Sequence, residues 1–188
     1  MRNNMYNTYI LNAIPNGARV LDLGCGDGDL LDQLRKEKNC QGYGIDIQYD
    51  HILACTKRGI STFHGNIDEG LSDFSDHAFD YVILSQTLQQ VTRPLYVIEE
   101  MLRVGHKAII TFPNFGYWEI RIQLLLTGQA PKTKTLPYEW YDTPNIRVVS
   151  IRDFRHLCEQ NNIKILSDNQ SNLFSKKGLF VVKSGKKD

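Results

Sequence analysis

Several features that mark whole classes of protein are missing from this chain. No apolar run approaches the roughly 20 residues of a membrane span, and residues 1–9 are polar, without the apolar core of a signal peptide. An excess of one charge is missing too. Lys and Arg number 22 against 21 Asp and Glu, a formal net charge of +1, so no bulk attraction to nucleic acid or to an anionic membrane is implied. The basic tail over 183–187 is short and reads as a frayed, solvated end rather than a binding arm. The four cysteines, Cys25, Cys40, Cys55 and Cys158, show no C-x-x-C spacing and no metal-site pattern. Reduced thiols in a cytoplasmic protein are the expectation. There is no internal repeat, no low-complexity tract and no linker. The 188 residues, 41% of them hydrophobic, suffice for one domain with a full core over 1–188 and fall short of two of ordinary size.

What is present alternates between strand-like and helix-like stretches. That argues for an α/β fold with a mostly parallel sheet covered on both faces. A turn at Pro15-Asn16-Gly17 precedes a strand over 19–23, and a helix follows with Leu30, Leu31 and Leu34 on one face and charges outside. Further strands are expected over 41–47, 61–64, 78–85 and 107–112. Helices are expected over 49–58, closed by Gly59, from Pro94 to Leu102, and over 117–126. Residues 127–150 are irregular, with Pro131, Pro137, Pro144 and the aromatic residues Tyr138, Trp140 and Tyr141. A helix over 151–160 then leads to strands 163–168 and 178–182. These two would close the sheet as a hairpin, setting an antiparallel strand into an otherwise parallel sheet.

The most informative stretch lies between the first strand and its helix, where Gly24, Gly26 and Gly28 alternate with Cys25 and Asp27. Glycine there permits backbone angles closed to other residues and lets a ligand approach the main chain. This is the first βα turn of a Rossmann-like nucleotide site. A dinucleotide site holds a pyrophosphate on the helix N-terminus, but Asp22, Asp27 and Asp29 surround this turn and would repel it. The third glycine also falls one residue early, giving G-x-G-x-G in place of G-x-G-x-x-G. A ligand bearing an ammonium and a sulfonium and no phosphate suits the acids better. S-adenosylmethionine (SAM) is such a ligand; its demethylated product S-adenosylhomocysteine (SAH) keeps the ammonium and lacks the sulfonium.

In a doubly wound sheet the ligand crosses the carboxyl ends of the strands. Asp46 ends the second strand about 20 residues past Gly26, the distance at which an acid can accept both ribose hydroxyls. Ile47 follows it. After the third strand Asn66 can accept from the adenine amino group or cap a turn, with Ile67 packing on the ring. Ser85 and Gln86 end the fourth strand, facing the methionine part or the reactive centre, and Asp22 and Gly24 lie near its ammonium and carboxylate. Cys25 is either a reactive thiol or a small residue filling a tight turn.

These parts resemble a class I SAM-dependent methyltransferase: the acid-led glycine loop, Asp46, the entry Phe79-Asp80-Tyr81-Val82 to the fourth strand, and the terminal hairpin. Four stretches narrow the resemblance to the methionine-biosynthesis protein W (MetW) family. They are 20–28 (VLDLGCGDG), 84–89 (LSQTLQ), 112–118 (FPNFGYW) and 140–147 (WYDTPNIR), and the last two are long and aromatic-rich. The resemblance implies a methyltransferase fold, a place in bacterial methionine biosynthesis, and partnership with a homoserine O-acyltransferase (MetX). Asn66 departs from the Asp common in related sequences at that position.

Two classes of function follow. One is an accessory protein that binds the acyltransferase and senses SAM. The other is an active methyltransferase on a small molecule. Methyl transfer from a sulfonium needs in-line positioning above all, with a general base for some acceptors. His64, His106, Tyr117, Tyr138 and Asp142 are the candidate bases, with His106 expected at the wrong end of the sheet. No metal site is indicated, and no residue is singled out as catalytic. Asn114 lies in the order Phe112-Pro113-Asn114-Phe115, which does not support a backbone-carbonyl grip on an amino group. Tyr138, Trp140 and Tyr141 have three readings: satellite core, substrate lid or partner anchor. Asp142-Thr143-Pro144-Asn145 is a turn or part of a pocket wall.

Overall fold

The computed structural model describes residues 4–168 and 175–185. Seven strands form one sheet: β1 (Arg19–Leu23), β2 (Gln41–Asp46), β3 (Ser61–His64), β4 (Phe79–Ser85), β5 (Gly105–Pro113), β6 (Ile163–Asp168) and β7 (Lys177–Ser184). Their order is β3-β2-β1-β4-β5-β7-β6. The first five are parallel, and β7 runs antiparallel between β5 and β6. This is the mostly parallel α/β sheet with a closing hairpin that the sequence predicts. The strand order reverses between β1 and β4, so the carboxyl ends of those two strands flank the crevice where such sheets bind ligands.

Each central strand is buried on both faces, and the period of two assigns its side chains. Leu21, Leu23, Val82, Leu84, Ile110 and Phe112 point to one face, where α4 (Pro94–Val104) and α6 (Ile151–Gln160) cover them. Val20, Tyr81, Ile83 and Ile109 point to the other, under α1 (Asn4–Ala13), α2 (Asp29–Lys38) and Cys55 of α3 (Tyr49–Lys57). Phe112, Phe154 and Phe180 lock β5, α6 and β7 together, with ring centroids 4.5–5.9 Å apart. Truncating any one to Ala would leave a cavity costing about 3–5 kcal/mol.

Local chemistry sets the boundaries. Gly28, left-handed at φ 79°, opens α2; Asp29 and Asp32 lie in its first turn and Arg35, Lys36 and Lys38 in its last, matching the helix dipole. Pro94 begins α4, where its missing N–H costs nothing. Ser150 and Asp153 form a reciprocal capping box on α6.

The structure corrects the sequence reading in several places. Residues 4–13 form α1, which was not foreseen, although Tyr6, Ile10 and Ile14 stand at helical i, i+4 spacing and are all buried. β5 begins at Gly105, so His106 lies inside the strand at its amino end. β7 extends to Ser184 and pairs Lys183 with Lys164, so the start of the expected tail is strand; residues 186–187 of that tail lie outside the described residues. α5 (Trp118–Thr127) occupies the expected place, and residues 128–150 carry neither helix nor strand. No helix among the described residues is long and apolar enough to cross a membrane.

Candidate functional site

The glycine turn follows β1. The N–H groups of Gly24 and Cys25 donate to Ile45 O at 2.8 and 3.0 Å, which fastens the turn to β2. Gly26 N–H donates to Asp46 Oδ2 at 2.8 Å. Two of the glycines are required by what surrounds them. Gly24 has φ +72°, and a Cβ there would meet Thr87 Oγ1 at 2.8 Å. Gly28 has φ +79°, and a Cβ would meet Cys55 Sγ at 2.8 Å. Close packing, beyond backbone angle alone, explains glycine at these two positions.

Two cavities meet at Gly24. The smaller, of about 200 Å³, is walled by Asp46, Ile47, Asn66, Ile67, Asp68 and Thr87. The larger, of about 410 Å³, is walled by Asp22, Cys25, Ser85 and Gln86 on one side. On its other side stand Tyr6, Tyr138, Asn145 and Lys177. Thus Asp22, Gly24, Cys25, Asp46, Ile47, Asn66, Ile67 and Ser85 gather about one crevice. Gly26 and Gly28 line neither cavity. The first spends its amide on Asp46, and the second starts α2 against Cys55.

Asp46 is buried and well occupied. Besides Gly26, it accepts from Gln48 N–H at 2.9 Å and contacts His51 Nδ1 at 3.0 Å, both through Oδ1. A carboxylate has about four lone-pair sites, so Oδ2 keeps room for one further donor. Ile47 is 61% exposed at the rim of the smaller cavity, an apolar side chain without a protein lid. Asn66 does cap a turn: its Oδ1 accepts from Asp68 N–H at 3.1 Å and its Nδ2 donates to Glu69 at 3.3 Å. The Oδ1 of Asn66 retains a second lone pair.

The acid field around the turn is weaker than the sequence suggests. Arg58, from the end of α3, pairs with Asp29 and stands 3.6 Å from Asp27. Asp22, 3% exposed, is the acid set deepest in the wall. Cys25 is the filling residue of the two readings. Its thiol is buried against Gly44, and burial, with Asp22 next in effect, pushes its pKa far up, away from the reactive thiolate.

Ser85 and Gln86 turn the chain sharply. Gln86 has φ 59°, unusual for a side-chain-bearing residue and of the kind that clusters at functional sites. Its N–H donates to Thr111 O at 3.0 Å, and Ser85 Oγ lies 3.2 Å from Thr111 Oγ1. Gln89 Nε2 donates to Gln86 O at 2.7 Å, and Gln89 O accepts from Ile146 and Arg147 at 2.9 and 3.0 Å. This chain of bonds pins the irregular 128–150 segment over the crevice and makes Asn145 and Tyr138 part of the wall.

Of the five candidate bases only Tyr138 lines the larger cavity. His106 stacks on His77 at 4.8 Å at the amino end of β5, away from the crevice. His64 is exposed and bonds Ile47 O at 2.9 Å. Tyr117 is buried beneath Lys176, and Asp142 stands outside both cavities. Asn114 is structural: it donates to Ser175 O at 2.7 Å and accepts from Gly116 and Ile151. Pro144 and Asn145 of the turn reach the larger cavity. Sequence reasoning missed Tyr6, Thr87, Gln89 and Lys177. The residues Thr87 and Gln89 lay within a quoted motif; Tyr6 and Lys177 carry no local signal and arrive from distant parts of the chain. Among the described residues no group of His, Cys, Asp or Glu has metal-site geometry.

Residues 4–183 match the family described as Methionine biosynthesis protein MetW. The chain belongs to the MetW family. A relative from Rhodopirellula baltica, described as a bifunctional methionine biosynthesis protein MetXA/MetW, is 41% identical over 165 residues. That alignment covers 83% of this chain and 26% of the relative, so the chain spans about a quarter of that protein's length. Among solved structures, a SAM-dependent methyltransferase from Archaeoglobus fulgidus shares the fold with a TM-score of 0.70 and 18% identity, covering 96% of this chain and 92% of the other. Another SAM-dependent methyltransferase, from Aquifex aeolicus, matches with a TM-score of 0.65 and 17% identity over 93% and 88%. The MetW chain therefore has the class I SAM methyltransferase fold and a family tie to methionine biosynthesis.

Proposed function

We propose that this MetW protein binds SAM or SAH in the crevice at Gly24 and acts as an accessory, regulatory partner of a homoserine O-acyltransferase (MetX). The residues fit the ligand chemically. Asp22 suits its ammonium, Asp46 retains an acceptor for a ribose hydroxyl, and Ile47, Ile67 and Asn66 offer apolar faces and an acceptor to adenine. SAM supplies an electrophilic sulfonium methyl group when bound. The observation that carries the partnership is the Rhodopirellula baltica relative, whose name joins MetXA and MetW in one chain. Exposed apolar side chains agree with it: Leu125, Leu126, Trp140 and Tyr141 are 83%, 78%, 75% and 72% exposed. Aromatic side chains of that kind are enriched at interface hot spots. Sedimentation of the protein mixed with a homoserine O-acyltransferase tests the partnership. A heavier complex is expected, and two independent boundaries at micromolar concentrations would contradict it.

A second reading, methyl transfer to a small molecule, is favoured by one observation. The larger cavity continues past Ser85 and Gln86 to Tyr138, the candidate base that lines it. In this reading a second ligand in that cavity is held beside the sulfonium, with the 128–150 segment as part of its wall.

A further inference from the structure

Buried polar atoms in the larger cavity without a hydrogen-bond partner among the described residues include Lys177 Nζ, Gln89 Oε1 and Tyr6 Oη, and the first two are of opposite hydrogen-bonding character. Lys177 opens β7, opposite Pro113 at the carboxyl end of β5. Its ammonium sits 3.7 Å from the centroid of the Tyr6 ring on α1. A ring face offsets part of the desolvation of a cation, but Lys177 Nζ has no hydrogen-bonded carboxylate among the described residues, and burial lowers its pKa. An unpaired buried ammonium is costly and calls for an anion. Gln89 Oε1 calls in the same way for a donor, its amide nitrogen being already spent on Gln86 O.

The location separates Lys177 from the expected cofactor groups. Strand β7 is the third from β1 in the order β1-β4-β5-β7. At the usual strand spacing that places the backbone of Lys177 about 14 Å from that of β1. A lysine stem reaches about 6 Å. The ammonium thus lies beside the ends of β4 and β5, across the cavity from the acids of the glycine turn. The cavity is lined by acids of the glycine turn and, from a strand three places away, by Lys177.

We propose that Lys177 and Gln89 form a subsite for a second, small ligand that carries both a carboxylate and a hydrogen-bond donor, an amino acid or hydroxy acid, bound beside the cofactor. The carboxylate lies on Lys177 Nζ and an N–H or O–H group donates to Gln89 Oε1. The inference rests on the proposed cofactor site, since it takes the side at the glycine turn as filled by SAM or SAH. It supplies a substrate class for methyl transfer or a second effector for a regulatory protein.

The test is an NMR titration of the full chain with L-serine, glycolate and acetate, with and without SAH, on the natural protein, Lys177→Met and Lys177→Arg. Serine or glycolate is expected to bind in preference to acetate, with affinity lowered at least tenfold in Lys177→Met and largely kept in Lys177→Arg. Equal affinity in the natural protein and a folded Lys177→Met, or no binding of any of the three acids, would overturn the proposal. SAH and 5′-methylthioadenosine, which lacks the amino-acid part, are titrated in parallel. Loss of SAH affinity in Lys177→Met with methylthioadenosine unchanged would also overturn it, by assigning Lys177 to the cofactor's own carboxylate. Should the natural protein bind no SAH, the cofactor reading fails, while the acid titrations on the free protein still decide the subsite.

Discussion

Asp46 both braces the glycine turn, through Gly26, Gln48 and His51, and keeps one acceptor toward the crevice. Asp46→Ala is therefore expected to weaken SAM binding by about 1.5–3 kcal/mol, the range for a hydrogen bond to a charged group. An unchanged dissociation constant by calorimetry would remove Asp46 from the ribose. The substitution should also lower the melting temperature, because Gly26 N–H loses its acceptor. Gly24→Ala tests the turn from the other side. Its Cβ would press on Thr87 Oγ1, in a left-handed conformation that costs a side-chain-bearing residue roughly 1–2 kcal/mol. Lower stability together with weaker SAM binding is expected, and a melting curve equal to the natural protein's would show that the turn relaxes without strain. The turn and Asp46 were legible in the sequence because their spacing along the chain is itself the signal. Lys177, Gln89 and Arg58 were not. What they do depends on β7 entering beside β5, on the 128–150 segment docking through Gln89, and on α3 ending beside Asp29.

At the scale of elements, α4 is fastened to the loop before β4 by charge. Glu100 accepts from Arg103 at 2.7 and 2.8 Å and from Leu71 N–H at 2.9 Å, while Arg103 bonds Leu71 O and Phe74 O. The Arg103 guanidinium holds the Glu100 carboxyl below its usual range. A depressed folded-state pKa means stability that is present above the unfolded value, near pH 4.3, and lost as pH falls through the folded one. Glu100→Gln should thus cost roughly 1–2 kcal/mol at pH 7, and the difference from the natural protein should vanish in acid. A constant difference from pH 7 to pH 3 in urea titrations would contradict this. The alternating elements were readable from periodicity, since the central strands are apolar runs and α2 and α4 carry clean buried stripes. Helix α1 was overlooked because its polar residues, Asn4, Asn7, Thr8 and Asn12, mask the i, i+4 set Tyr6, Ile10 and Ile14. Residues 128–150 gave no period because they are held by isolated bonds, the Ile146 and Arg147 N–H groups to Gln89 O and the Arg147 guanidinium to Thr92 O, rather than by a ladder.

For the whole molecule, the question is whether a methyltransferase fold serves as a sensor attached to another enzyme. Trp140 and Tyr141 pack edge to face at 5.5 Å and remain mostly exposed, so they brace each other more than they support the core. Trp140→Ala and Tyr141→Ala are expected to weaken binding to the acyltransferase by at least tenfold while circular dichroism and melting stay near those of the natural protein. Undiminished capture in a pull-down titration would move the interface elsewhere. The proposed SAM site and the proposed partner surface share the 128–150 segment, which walls the larger cavity through Tyr138 and Asn145 and exposes Trp140 and Tyr141. Ligand and partner should therefore influence each other's affinity by the same factor. Calorimetric titration of the protein with SAM, alone and saturated with a homoserine O-acyltransferase, measures this directly. The account predicts SAM binding in both cases with a dissociation constant that shifts at least fivefold when the partner is present; identical constants with and without the partner, or no binding of SAM at all, would contradict it.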